Sequence, residues 1–170
     1  MADSKRIVDA LVRARRGGLA AGAALGGLAL VGSIAWHALR GATAPETATP
    51  DFRDVAEDEA RLMLRAMVAA TLADGVIDAG ERQRLDGAVA EAGIDRDGRA
   101  WLDRELENPA DIDEIADAVD APEAAARIYA AARLAIDLDT VQERQFLKML
   151  GEALDVPPEA AARIERELAG

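Results

Sequence analysis

Two patterns of apolar and polar residues divide this chain. No charged residue occurs between Arg16 and Arg40, and residues 17–39 form a Gly/Ala-rich apolar run. Leu25, Leu28, Leu30, Val31 and Ile34 strengthen its second half. From residue 55 onward Ala, Leu, Glu and Arg dominate, and Gly or Pro recurs at intervals of about one helix length. Apolar positions at helical spacing between such breakers predict helices. They fall near 55–73, 79–92, 96–107, 111–119, 122–138, 141–154 and 158–169.

The helical region repeats itself. Shifting it by 62 residues without gaps brings Arg65 onto Arg127, Ala69-Ala70 onto Ala131-Ala132, and Leu72-Ala73 onto Leu134-Ala135. Glu81-Arg82-Gln83 then meets Glu143-Arg144-Gln145, and Arg104-Glu105-Leu106 meets Arg166-Glu167-Leu168. A single offset holding across three helices predicts two three-helix units, about 60–108 and 122–170, bridged by the helix at 111–119. The first helix of each unit is apolar on nearly every face, which predicts burial. The expected centre is therefore this pair, with alanines at 69, 70, 131 and 132 allowing close approach.

The run at 17–39 is long enough for a bilayer core, which needs about 20 helical residues. Lys5, Arg6, Arg13, Arg15 and Arg16 flank its near end, and Trp36 and His37 close the far end. The expected organisation is a basic N-terminus at 1–16, a transmembrane helix at 17–39, a Pro/Thr/Ala linker at 40–54 and a helical domain at 55–170. The expected protein is a single-pass one, and by the positive-inside rule its N-terminus is cytoplasmic and the acidic domain lies on the other side. Gly18, Gly22 and Gly26 repeat every four residues, a spacing that suits homo-oligomer contacts within the lipid bilayer or arises by chance in such a composition. The alternatives for the segment are a cleaved signal peptide ending near Ala42-Thr43-Ala44, against which stand the run's length and Pro45, and a twin-arginine export signal at Arg15-Arg16, for which Gly17-Gly18 is a poor continuation.

Composition narrows the chemistry. Aromatics are 3% against 51% hydrophobic residues, which suits close-packed helices rather than sheets. There is no cysteine, which removes thiolate zinc sites and cysteine nucleophiles. The lone histidine, His37, lies in the apolar segment, so a histidine zinc site or a Ser-His-Asp triad is excluded from the acidic domain. With no visible nucleophile–base pairing, the expectation is a protein without catalytic activity. Residues 1–40 carry a surplus of basic groups, so the domain beyond them is more acidic than the chain's net −12 suggests. It repels nucleic acid and favours cations or a basic protein partner.

The candidate site lies at the ends of the two buried helices. The first junction reads Ala73-Asp74-Gly75-Val76-Ile77-Asp78-Ala79-Gly80-Glu81. It follows the second half of an EF-hand loop, with Gly for the sharp turn and Glu for chelation. Ala70 and Leu72 stand where that loop's first two ligands belong, which excludes a complete EF-hand. The second junction carries Asp137, Asp139 and Glu143 without glycine. Asp78/Glu81 and Thr140/Glu143 are also spaced as capping boxes, as are Asp111/Glu114 and Asp120/Glu123. Capping uses one acceptor, and the surplus acids repel one another unless solvated, protonated or bridged by a cation. The candidate metal ligands are therefore Asp74, Asp78, Glu81, Asp137, Asp139 and Glu143, with calcium, magnesium or manganese as the divalent cation. Trp101 and Phe146 read as core.

These motifs, in this order and spacing, resemble the TerB-like tellurite-resistance family, and within it the YebE-like branch of inner-membrane proteins of uncharacterised function. The resemblance rests on Ala73-Asp74-Gly75-Val76-Ile77-Asp78 with Glu81, and on Ala135-Ile136-Asp137-Leu138-Asp139-Thr140 with Glu143 and Leu147. It covers about 55–170 and, more loosely, 17–40. It implies an all-α domain with an internal repeat, acids suspected of binding metal, and a link to envelope or metal stress. The family has no established reaction. The resulting expectation is a non-enzymatic, membrane-tethered module that binds divalent cations, the alternative being an acidic interaction scaffold without metal.

Overall fold

The computed structural model describes residues 4–16, 27–40, 55–75, 77 and 79–169. Among them all regular structure is helical: α1 (Ser4–Arg16), α2 (Gly27–Arg40), α3 (Glu57–Thr71), α4 (Ala79–Ala92), α5 (Arg96–Glu107), α6 (Ile112–Ala116), α7 (Pro122–Ala135), α8 (Val141–Ala153) and α9 (Pro158–Ala169). The repeat is visible in the boundaries. A shift of 62 residues carries the start of α4 onto that of α8, and α5 onto α9 end to end. It also pairs Gly93 with Asp155, and both are left-handed, at φ +57° and +51°. The short α6 is the bridge.

The most extensive helix–helix contact among the described residues joins α3 to α7. Met63, Leu64, Ala66 and Ala70 are wholly or almost wholly buried on α3, as are Ala126, Ile128 and the run Ala130, Ala131 and Ala132 on α7. The alanines carry no bulk beyond Cβ, so two helices buried on most faces can lie close together. α3 ends at Thr71, where the Leu72 N–H turns back to the Val68 carbonyl. α7 stops three residues short of its expected end. Ile136 takes an extended backbone and drives its side chain into the core, at 0% exposure.

Polar pins cross this centre. Arg127 of α7 grips both carboxylate oxygens of Glu59 on α3, at 2.5 and 3.0 Å. Arg65, its repeat mate, turns to the buried Glu105 of α5 at 2.9 Å, and the same oxygen accepts the Ala110 N–H.

The N-terminal segments depart from expectation. Among the described residues no helix is long and apolar enough to cross a membrane. Of the expected span at 17–39, residues 27–39 lie in α2, which packs on α7 and α9. Its buried positions Val31, Ile34, Ala35 and Ala38 follow the i, i+3, i+4, i+7 spacing of one stripe facing a core. Arg163 of α9 donates from Nε to the Ala38 carbonyl at 2.5 Å, anchoring the end of α2. Burying a Val or Ile side chain is worth roughly 1.5–3 kcal/mol, so the apolar character of this half-segment is accounted for by protein contacts. Residues 17–26, with Gly18, Gly22 and Gly26, lie outside the described residues. The basic stretch before them is the amphipathic α1. Its Ile7, Val8 and Val12 are buried, and it packs on α3 and α4. The Ser4 N–H donates to Glu57 at 2.7 Å.

Candidate functional site

At the first acidic junction the chain leaves α3 through a tight turn. The Gly75 N–H donates to the Leu72 carbonyl at 2.9 Å, and Gly75 takes φ +81°. A Cβ there would meet nothing within 4 Å, so the requirement for glycine is conformational. Asp74 is exposed on this turn. Asp78 lies outside the described residues. Glu81 sits in the first turn of α4, and its side chain is likewise outside them.

The second junction solves the same problem without glycine. Ile136 is buried, Asp137 and Asp139 are exposed, and Leu138 between them is left-handed at φ +57°. A branched side chain in that region costs roughly 1–2 kcal/mol. Two arginines hold the turn. Arg133 donates to the Ile136 carbonyl at 3.0 Å, and Arg144 donates to the Leu138 carbonyl at 2.6 Å. These guanidinium groups also place positive charge beside the surplus acids.

Glu143 has a different role. Thr140 accepts from the Glu143 N–H at 3.1 Å, and Glu143 Oε2 accepts from the Thr140 N–H at 3.0 Å and its hydroxyl at 2.9 Å. This is a complete capping box, and it holds Glu143 at 5% exposure. Asp111 caps α6 through the Glu114 N–H at 2.8 Å. Asp120 does not cap. The N-cap of α7 is Ala121, and the helix opens on Pro122, whose missing N–H needs no acceptor. Asp95, which the spacing rule overlooks because Gly98 stands at the acid position, caps α5 through the Gly98 N–H at 2.7 Å.

Six carboxylates were expected as ligands. In the described structure Asp74, Asp137 and Asp139 are exposed on their turns, and Glu143 forms a cap. Among the described residues no group of three or more His, Asp or Glu side chains is gathered to hold a metal ion.

The second junction adjoins a groove of about 450 Å³ between α8 and α9. Leu138, Leu147, Val156 and Ala161 give it an apolar lining, and Arg144 and Lys148 stand on its α8 side. Tyr129 also lines it, 2% exposed, with its hydroxyl donating to Glu165 at 2.7 Å. Burial, and then the bond to the Glu165 carboxylate, push the phenol's pKa well above its ordinary range. The hydroxyl therefore stays protonated at neutral pH and keeps its bond to Glu165. Val141 and Met149, both on α8, are the exposed large hydrophobic residues of the described structure. Trp101 and Phe146, read as core, are half-buried at its edge.

The chain belongs to the family described as protein of unknown function (DUF533), whose model matches residues 6–168, from α1 into α9. A protein of Yersinia enterocolitica described as an uncharacterized protein in the ampR 5′ region is 29% identical over 106 residues, which is 62% of this chain and 76% of that protein. No solved structure matches.

Proposed function

We propose that this DUF533 chain is a non-enzymatic helical module that engages a basic protein partner through the second acidic junction and the adjoining α8–α9 groove. The observation that carries this reading is the exposure of Asp137 and Asp139 on a turn whose carbonyls are fixed by Arg133 and Arg144. Fixed, solvated acids beside an apolar groove suit a partner segment with Lys or Arg next to an aliphatic side chain, in keeping with the net charge of −12.

A second reading is favoured by one observation at the first junction. Gly75 adopts the left-handed turn that the EF-hand-like spacing requires, with Asp74 exposed beside it. Divalent-cation binding there, with Asp78 and Glu81 as further ligands, extends the TerB-like resemblance towards envelope or tellurite-type metal stress. A membrane tether is a separate proposal, resting on that resemblance and on the apolar run. It requires the lipid-facing segment to lie outside the packed length of α2.

The test is a pair of calorimetric titrations on the full chain, one with poly-lysine and one with calcium, magnesium and manganese. Salt-sensitive poly-lysine binding, weakened by Asp137→Asn with Asp139→Asn and unaffected by Asp74→Asn, supports the first reading. Saturable metal binding lost in Asp74→Asn, with no response to poly-lysine, replaces it with the second.

A further inference from the structure

The packing of α2 onto α9 creates a cleft of about 430 Å³ lined by His37, Ala38, Arg163, Arg166 and Glu167. Its character is opposite to that of the rest of the molecule. Asp and Glu outnumber Lys and Arg by 32 to 20 in this chain, and the repeat-related arginines of the central helix pair find carboxylates: Arg65 finds Glu105, and Arg127 finds Glu59. Among the described residues neither Arg163 nor Arg166 has a carboxylate within ion-pair distance, although Glu167 lines the same cleft.

Arg163 is half-buried and is held by its bond from Nε to the Ala38 carbonyl. That contact uses one donor of the five in the guanidinium fork and fixes the plane of the rest. Arg166 follows three residues later, one helical turn along α9, so both side chains reach the same cleft. His37 faces them from α2 and brings the chain's lone imidazole to the site. The repeat keeps only part of this chemistry, since Arg166 and Glu167 have Arg104 and Glu105 as their mates. The position equivalent to Arg163 in the first unit is Trp101, half-buried against the core.

We propose that the α2–α9 cleft binds a phosphate-class oxyanion, with Arg163 and Arg166 as the principal donors and His37 as a third. Two guanidinium groups, one of them oriented in advance, match the planar, multidentate hydrogen bonding that phosphate oxygens accept. A free phosphate and the phosphodiester of an anionic lipid share this chemistry.

The experiment follows the imidazole resonances of the single histidine by NMR while the full chain is titrated with inorganic phosphate at constant pH, with chloride at matched ionic strength as control. A parallel arm measures co-sedimentation with phosphatidylcholine vesicles with and without phosphatidylglycerol. Saturable phosphate-specific shifts identify free phosphate as a ligand, and retention that requires phosphatidylglycerol identifies the lipid headgroup. In either arm Arg166→Gln, an exposed position outside the core, weakens binding about tenfold, as loss of a charged hydrogen-bond donor does. Glu167→Gln strengthens it about two- to fivefold by removing a like charge from the ligand's surroundings. Shifts no larger than those with chloride, together with vesicle retention indifferent to phosphatidylglycerol, overturn the proposal. So does binding that is unchanged in Arg166→Gln.

Discussion

Arg127 and Glu59 form a two-pronged ion pair that ties one unit of the repeat to the other, whereas Arg65, at the equivalent position, pairs with Glu105 of its own unit. The repeat is therefore symmetric in its helices and asymmetric in its polar contacts. Both members of the α3–α7 pair are more than four-fifths buried, so removing one leaves a charge stranded. Glu59→Ala should lower unfolding free energy by roughly 3 kcal/mol in urea titrations, within the range for a broken buried pair. Glu59→Leu with Arg127→Met should recover most of that loss. Additive losses in the double variant would show that the pair acts through something other than mutual charge compensation.

Leu138 should reverse the usual order of side-chain truncation. Leu138→Ala removes half-buried surface and keeps the penalty of φ +57°, whereas Leu138→Gly removes the same surface and relieves the backbone. Leu138→Gly is expected to be the more stable of the two by about 1 kcal/mol. The same logic makes Asp155→Gly stabilising by roughly 0.5–1 kcal/mol, since its repeat mate is already Gly93. Thermal unfolding of the three variants checks both statements.

Gly151 is required for a different reason. A Cβ there would lie 3.0 Å from Cε2 of the Tyr129 ring, which is itself buried and held by Glu165. Gly151→Ala gains helix propensity but forces the ring to shift. The expected net loss is on the order of 1–2 kcal/mol, readable as a lower urea midpoint at unchanged slope.

Tyr129 also sets a pH dependence. Its folded-state pKa is raised above the ordinary 10.0, so the fold binds this proton more tightly than the unfolded chain does. The associated stability is fully present below the unfolded value and declines as pH rises past about 10. In Tyr129→Phe this alkaline decline should be shallower, as measured by unfolding across pH 8 to 11, values bracketing an ordinary tyrosine at roughly 10. An identical decline in the variant would assign it to other groups.

The placement of α2 makes a prediction opposite to that of a simple anchor. Ile34→Ala should destabilise the helical body by roughly 2–4 kcal/mol, because Ile34 is buried against it at 5% exposure. An unchanged urea midpoint would mean that α2 does not belong to the folded unit.

Much of this architecture is legible in the sequence because the repeat keeps its register. Glu81-Arg82-Gln83 and Glu143-Arg144-Gln145 align the starts of α4 and α8, although α8 ends one residue before its expected end, and Thr140 with Glu143 announces the capping box. The N-terminal segment is where composition misleads. A Gly/Ala-rich helix buried against protein and one crossing a lipid bilayer have similar hydropathy. The spacing of Val31, Ile34, Ala35 and Ala38 separates them only when weighed above length. At the second junction the acids are legible, but the bonds from Arg133 and Arg144 depend on the chain turning at Leu138, where a bulky residue gives no sign of a left-handed backbone. The meeting of His37 with Arg163 and Arg166 joins helices far apart in sequence and outside any repeat relation, so no local pattern reveals it.

The seat of α2 on α9 also has a consequence for biosynthesis. The surface that covers Val31 and Ile34 includes a helix among the last parts of this sequence to be translated. At typical elongation rates the apolar stripe of α2 waits on the order of ten seconds for its complete partner surface. During that interval the nascent chain exposes a short greasy helix next to a basic N-terminal one, which is the kind of segment that ribosome-associated chaperones and targeting factors sample.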